Sequence, residues 1–208
     1  MYFVPSQKST AGFTIIEMLV ALALFTIVIT IAVGAFLSLI SGSSSLQGEQ
    51  AVMSSLSFAM DTMTREIRTG TNYYCKNDAG SNQMTLDETR NCSTGSPEFS
   101  FVEAGSSLSS GSGSERISYS YVDDPNDSSR KTIVRQLGDN NNSPQESILS
   151  SDTKLIYAQF FVTGADPLRT GSDVAQPTVT IVVKAQDPAD SSKTYTLETT
   201  VTQRQLDL

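Results

Sequence analysis

The chain contains no histidine and no tryptophan. Without histidine, Ser-His-Asp and Cys-His catalysis are excluded, and the commonest metal ligand is missing. Basic residues are scarce: 14 Lys and Arg face 22 Asp and Glu, for a net charge of −8. That balance lacks the cationic footprint on which counterion release depends, so no nucleic-acid partner is expected. Hydrophobic residues make up only 38% of the 208 residues, below the usual level of about 45–50%. Their place is taken by 31 Ser and 22 Thr. These hydroxyls are not a nucleophile signal, because no activating base stands near them in the sequence. No catalytic residue, cofactor or metal site is expected.

What is present is unevenly distributed. Residues 13–40 form a block of 28 residues whose single charge is Glu17. As a helix this block is roughly 40 Å long, and a bilayer core needs about 30 Å. It is too long for the apolar region of a cleaved secretory signal, which runs about 7–15 residues. The block is therefore read as a membrane span. The α-amine and Lys8 precede it, and no Lys or Arg follows until Arg65. The positive-inside rule then puts the N-terminus in the cytoplasm and everything after about residue 41 outside. Cys75 and Cys92 both fall in the exported part, where an even count reads as a disulfide. It closes a loop of about 17 residues, worth roughly 3 kcal/mol by chain-entropy reasoning.

Glu17 stands out. A carboxylate within an apolar helix costs about 2.5–3.5 kcal/mol and is a functional hypothesis by default, although a Glu near the interface can also snorkel. Its context is a short polar leader ending in Gly12, then Phe13-Thr14-Ile15-Ile16-Glu17, then a long apolar run. This arrangement resembles the N-terminal signal of type IV pilins and type II secretion pseudopilins. The resemblance implies cleavage by a prepilin peptidase between Gly12 and Phe13, N-methylation of Phe13, and a role in assembly for the Glu17 carboxylate. Ile15 stands where the family usually has Leu. The resemblance further implies an inner-membrane precursor, with other pilin or pseudopilin subunits as partners. The run 17–25, and Gly34 where major subunits usually carry a proline, look most like a minor subunit of the J type. An adhesive or DNA-uptake minor pilin, or an uncleaved signal-anchored ectodomain, are the alternatives.

Beyond the block, residues 41–45 (Ser-Gly-Ser-Ser-Ser) are a weak spot for a helix. Met53, Leu56, Met60, Met63 and Ile67 then recur at helical spacing, and this stripe is expected to pack on a sheet. Asp61 and Arg65 are an i,i+4 pair, and Gly70 is a plausible stop. Strands are expected at 83–87, 98–102, 115–122, 131–137, 147–150, 155–163, 178–186 and 194–203, the last two joined as a hairpin through 187–192. Polar loops are expected at 105–114 and 139–144.

The fold class is therefore α+β and pilin-like: a long N-terminal helix followed by a mostly antiparallel sheet. Its organisation is a leader (1–12), a membrane or filament-core helix (13–40), an amphipathic continuation (41–70) and a β-rich head (71–208). The acidic run 123–127 fails the EF-hand template, because counting from Asp124 places Ser129 at position six and Arg135 at position twelve. It is read as a solvated turn.

Overall fold

The computed structural model describes residues 12–76, 88–105, 116–138, 144–166, 175–187 and 190–204. The strand expected at 83–87 and most of both polar loops lie outside these residues, as does Lys8. One helix, α1 (Ile15–Thr69), is followed by nine strands. They are β1 (Thr71–Lys76), β2 (Cys92–Ser96), β3 (Glu98–Val102), β4 (Arg116–Asp124), β5 (Asp127–Leu137), β6 (Gln145–Ser147), β7 (Lys154–Thr163), β8 (Thr178–Gln186) and β9 (Thr194–Thr202). The chain divides into two compact units, Met1–Leu46 and Gln47–Leu208.

In the first unit every described side chain is exposed. The helix carries a segment long and apolar enough to cross a membrane. Three of its hydroxyls bond to the helix's own backbone. Thr26 donates to the Ala23 carbonyl at 2.9 Å, Thr30 to Thr26 at 2.8 Å and Ser41 to Leu37 at 3.1 Å, as a helix without water requires. The Ser/Gly run at 41–45 does not interrupt α1. Propensity is a weak prior, and here it is overridden.

In the second unit the helix presents Val52, Leu56, Ala59, Met60, Met63 and Ile67 to the core. The stripe is shifted from the sequence expectation at its start: Met53 is exposed and Val52 takes the inward position. Apart from Ala59, each such side chain contributes roughly 1.5–3 kcal/mol when fully buried. Ser54, Ser57, Asp61, Arg65 and Arg68 lie on the exposed side.

The strands form one antiparallel sheet in the order β1-β3-β4-β5-β7-β8-β9. β8 and β9 pair without a register shift from Thr178–Thr202 to Gln186–Thr194, as their strict alternation predicts. β5 and β7 meet only at Lys131–Leu155. Beyond that point they part, with β6 added to β5 and β2 added to β7. The first edge curls back toward β7. Tyr74 bridges Arg90 in parallel, Cys75 is bonded to Cys92, and Phe99 on β3 stacks on Phe160 of β7 with ring centroids 5.7 Å apart. Tyr73, Phe101 and Tyr119 extend this aromatic layer. β2 was not expected from the sequence. It has no apolar alternation, and Gly95, at φ +83°, sits where the β2–β7 register shifts. A Cβ there would lie 2.6 Å from the Gln159 amide oxygen and 2.8 Å from the Phe161 ring, so the strand can press on β7 only with glycine at that point.

Candidate functional site

The residues singled out by the N-terminal motif cluster where α1 begins. Thr14 is the N-cap: its hydroxyl accepts the Glu17 N–H at 3.3 Å, and its carbonyl accepts the Met18 N–H at 3.2 Å. Glu17 therefore stands at the third helical position. Thr14-Ile15-Ile16-Glu17 is the sequence of a capping box, a signal the motif alone had obscured. A carboxylate in a first turn is also favoured by the helix dipole, by about 0.3–1 kcal/mol where exposed. Glu17 thus has a local reason to be there besides any partner.

Gly12 and Phe13 lie just before this cap, and Phe13 is 79% exposed. A Cβ built on Gly12 meets nothing within 4 Å. The fold places no steric demand for glycine at this position. No described side chain of the first unit is buried, so Phe13, Glu17 and the apolar residues up to Ile40 are all exposed.

The cysteines do meet. Cys75 on β1 and Cys92 on β2 form a disulfide with Cα atoms 5.9 Å apart. The acidic run 123–127 is the β4–β5 turn, and its carboxylates are engaged. Asp124 accepts the Asn126 N–H at 2.7 Å and pairs with Arg130, while Asp123 pairs with Lys131 at 2.8 Å. Among the described residues no group of three or more Cys, Asp or Glu could hold a metal ion.

Sequence reasoning missed the polar ties of the second unit. The sequence singles out Glu17 among the acids, yet Glu17 is exposed while Asp124 and Asp187 are buried. Glu66 accepts the Tyr119 hydroxyl at 2.7 Å, and its two oxygens face Arg135 Nε at 3.2 and 3.1 Å. Burial raises the Tyr119 phenol, and Glu66 raises it further. Burial alone would lower Arg135, but Glu66 and Tyr119 together outweigh it and the net shift is upward. Asp187 accepts the Tyr195 hydroxyl at 2.7 Å, and Lys193 pairs with Glu49 of α1 at 3.0 Å. Arg116 is buried and donates to the Asn72 and Glu88 carbonyls at 2.9 and 2.5 Å. The available signal was Glu66, which sits beside the apolar stripe between Met63 and Ile67. These groups bond to one another and to backbone, and they brace α1 and the sheet.

Among known proteins, no curated protein matches the chain, and no solved structure matches it. Residues 7–40 match one family model, the prokaryotic N-terminal methylation motif, so the start of this chain is type IV pilin-like.

Proposed function

We propose that this chain is a structural subunit of a pilus or pseudopilus, made as a single-pass inner-membrane precursor with its N-terminus in the cytoplasm. Prepilin peptidase cuts between Gly12 and Phe13, and the new Phe13 amine is methylated. Residues 13–40 hold the subunit in lipid and later pack in the filament core, with the head extracytoplasmic. Gly34 and the run 17–25 favour a minor, assembly-initiating subunit of the J type.

The observation that carries this reading is the exposed trio of Gly12, Phe13 and Glu17 at the start of a helix fit to span a membrane. The fold does not need the glycine, so an external agent is the better account of it. An amine and a carboxylate are each costly in a bilayer. When one subunit's Glu17 meets a neighbour's Phe13 amine, each offsets the other's penalty and sets the register.

Because the capping box accepts Gln as well as Glu, Glu17→Gln keeps the cap and removes only the charge. Mass spectrometry of the mature protein should find methyl-Phe13 in wild type and variant alike. Co-assembly with the wild-type chain should fall about tenfold or more for the variant, as for loss of a desolvated charge pair. An intact Met1, or full incorporation of the variant, would overturn the reading.

A further inference from the structure

The last turns of α1 and the end of β9 border an open cationic cleft on this acidic chain. One lobe, about 410 Å³, is lined by Asp61, Arg65, Arg68, Arg204 and the threonines at 64 and 69. A second, about 480 Å³, shares Arg68 and Arg204 and adds threonines of β9. The two arginines are tethered to each other, because the Arg204 N–H donates to the Arg68 carbonyl at 2.8 Å. Arg65 is engaged by Asp61 at 2.6 Å. Among the described residues, neither the Arg68 nor the Arg204 guanidinium has a carboxylate partner, and both side chains are exposed.

We propose that this cleft docks an acidic segment of a neighbouring protein subunit, with Arg68 and Arg204 as a double fork on its carboxylates. The argument is charge complementarity. The chain carries a surplus of eight carboxylates over cations, so an acidic neighbour is repelled by most of its surface and accepted here. Guanidinium donors match a carboxylate in two parallel hydrogen bonds. Two uncommitted cations suit one or two carboxylates. A nucleic-acid duplex is held by many more contacts, of the order of 6–10 phosphates. The proposal rests on the assembly reading above only for the source of the segment.

The test uses the full chain in detergent and a fluorescein-labelled hexaglutamate peptide read by anisotropy at low salt. Arg68→Gln with Arg204→Gln should weaken binding about tenfold or more, while Lys154→Gln, an exposed cation on β7, should leave it unchanged. Equal loss with Lys154→Gln, or no loss with the double variant, would sink the proposal. So would displacement of the peptide by duplex DNA or by phosphatidylglycerol in mixed micelles at lower charge concentration, which would assign the cleft to phosphate. If the double variant melts early, salt titration of the unaltered chain decides instead. Affinity should fall with salt at a slope near two ions, and salt-independent binding counts against the cleft. Glu17→Gln should bind the peptide normally, so failure of assembly and failure of the cleft are read separately.

Discussion

Gly70 follows the last residue of α1, and its N–H bonds back to the Glu66 and Ile67 carbonyls at 3.0 Å each. Its role as a stop was legible, but the reason is packing. A Cβ at Gly70 would lie 2.2 Å from Cδ2 of Phe101, a ring buried in the core that cannot swing away. Gly42, by contrast, sits in open space within the same helix. The two glycines should therefore respond to alanine with opposite signs. Gly70→Ala should destabilise the head by about 1–3 kcal/mol through overpacking. Gly42→Ala should raise helix content, since glycine costs about 1 kcal/mol in a helix interior. Urea unfolding and circular dichroism of the two variants check both, and a neutral Gly70→Ala would show that Phe101 yields.

At the scale of elements, β1 and β2 depend on the bond between Cys75 and Cys92. Among the described residues β1 is ladder-paired with β3 alone, apart from the single Tyr74–Arg90 bridge. β2 is a short strand whose register on β7 is irregular. The disulfide ties them where their hydrogen bonds are few. Cys75→Ser with Cys92→Ser should cost roughly 3 kcal/mol for a closed loop of about this size. Hydrogen exchange should show the loss concentrated in β1 and β2, with β8 and β9 still protected. Uniform loss across all strands would show that the bond supports the whole sheet.

The same contrast explains what could be read in advance. β8, whose expected bounds of 178–186 agree with the structure, alternates strictly and needs no outside information. β2 has no alternation and owes its place to Cys92 and to the glycine that lets it lie on β7. Val52 replaced Met53 in the core because a periodic pattern fixes a face only to within a residue. The N-terminal methylation motif at 7–40 was legible because its signal is local in the chain. The Arg68–Arg204 cleft and the Glu66–Tyr119–Arg135 tie were not, since each joins residues far apart in sequence that only the fold brings together.

At the scale of the whole molecule, alkaline pH tests how these ties combine. Four of the described tyrosines are raised above the ordinary value of 10.0: Tyr73 and Tyr121 by burial, Tyr119 by burial and then Glu66, and Tyr195 by its bond to Asp187. A raised phenol binds its proton more tightly in the folded chain. Its contribution to stability is therefore complete below pH 10 and is lost as pH rises through the folded value. Lys193 is raised by Glu49 and Lys131 by Asp123, so they act in the same direction. Asp127 and Asp190 are lowered by Ser129 and Ser192, and their contribution fades only as pH falls below the ordinary carboxylate range. The head should thus hold its β signal from mildly acidic pH to about pH 10 and then lose it cooperatively. Absorbance at 295 nm follows phenol ionisation beside the β signal. Tyr73 and Tyr119 should release their protons only as the β signal disappears, because the Tyr73 hydroxyl donates to the Ile67 carbonyl at 2.6 Å and the Tyr119 hydroxyl to Glu66. Ionisation of Tyr73 and Tyr119 while the sheet persists would mean that neither hydroxyl braces α1.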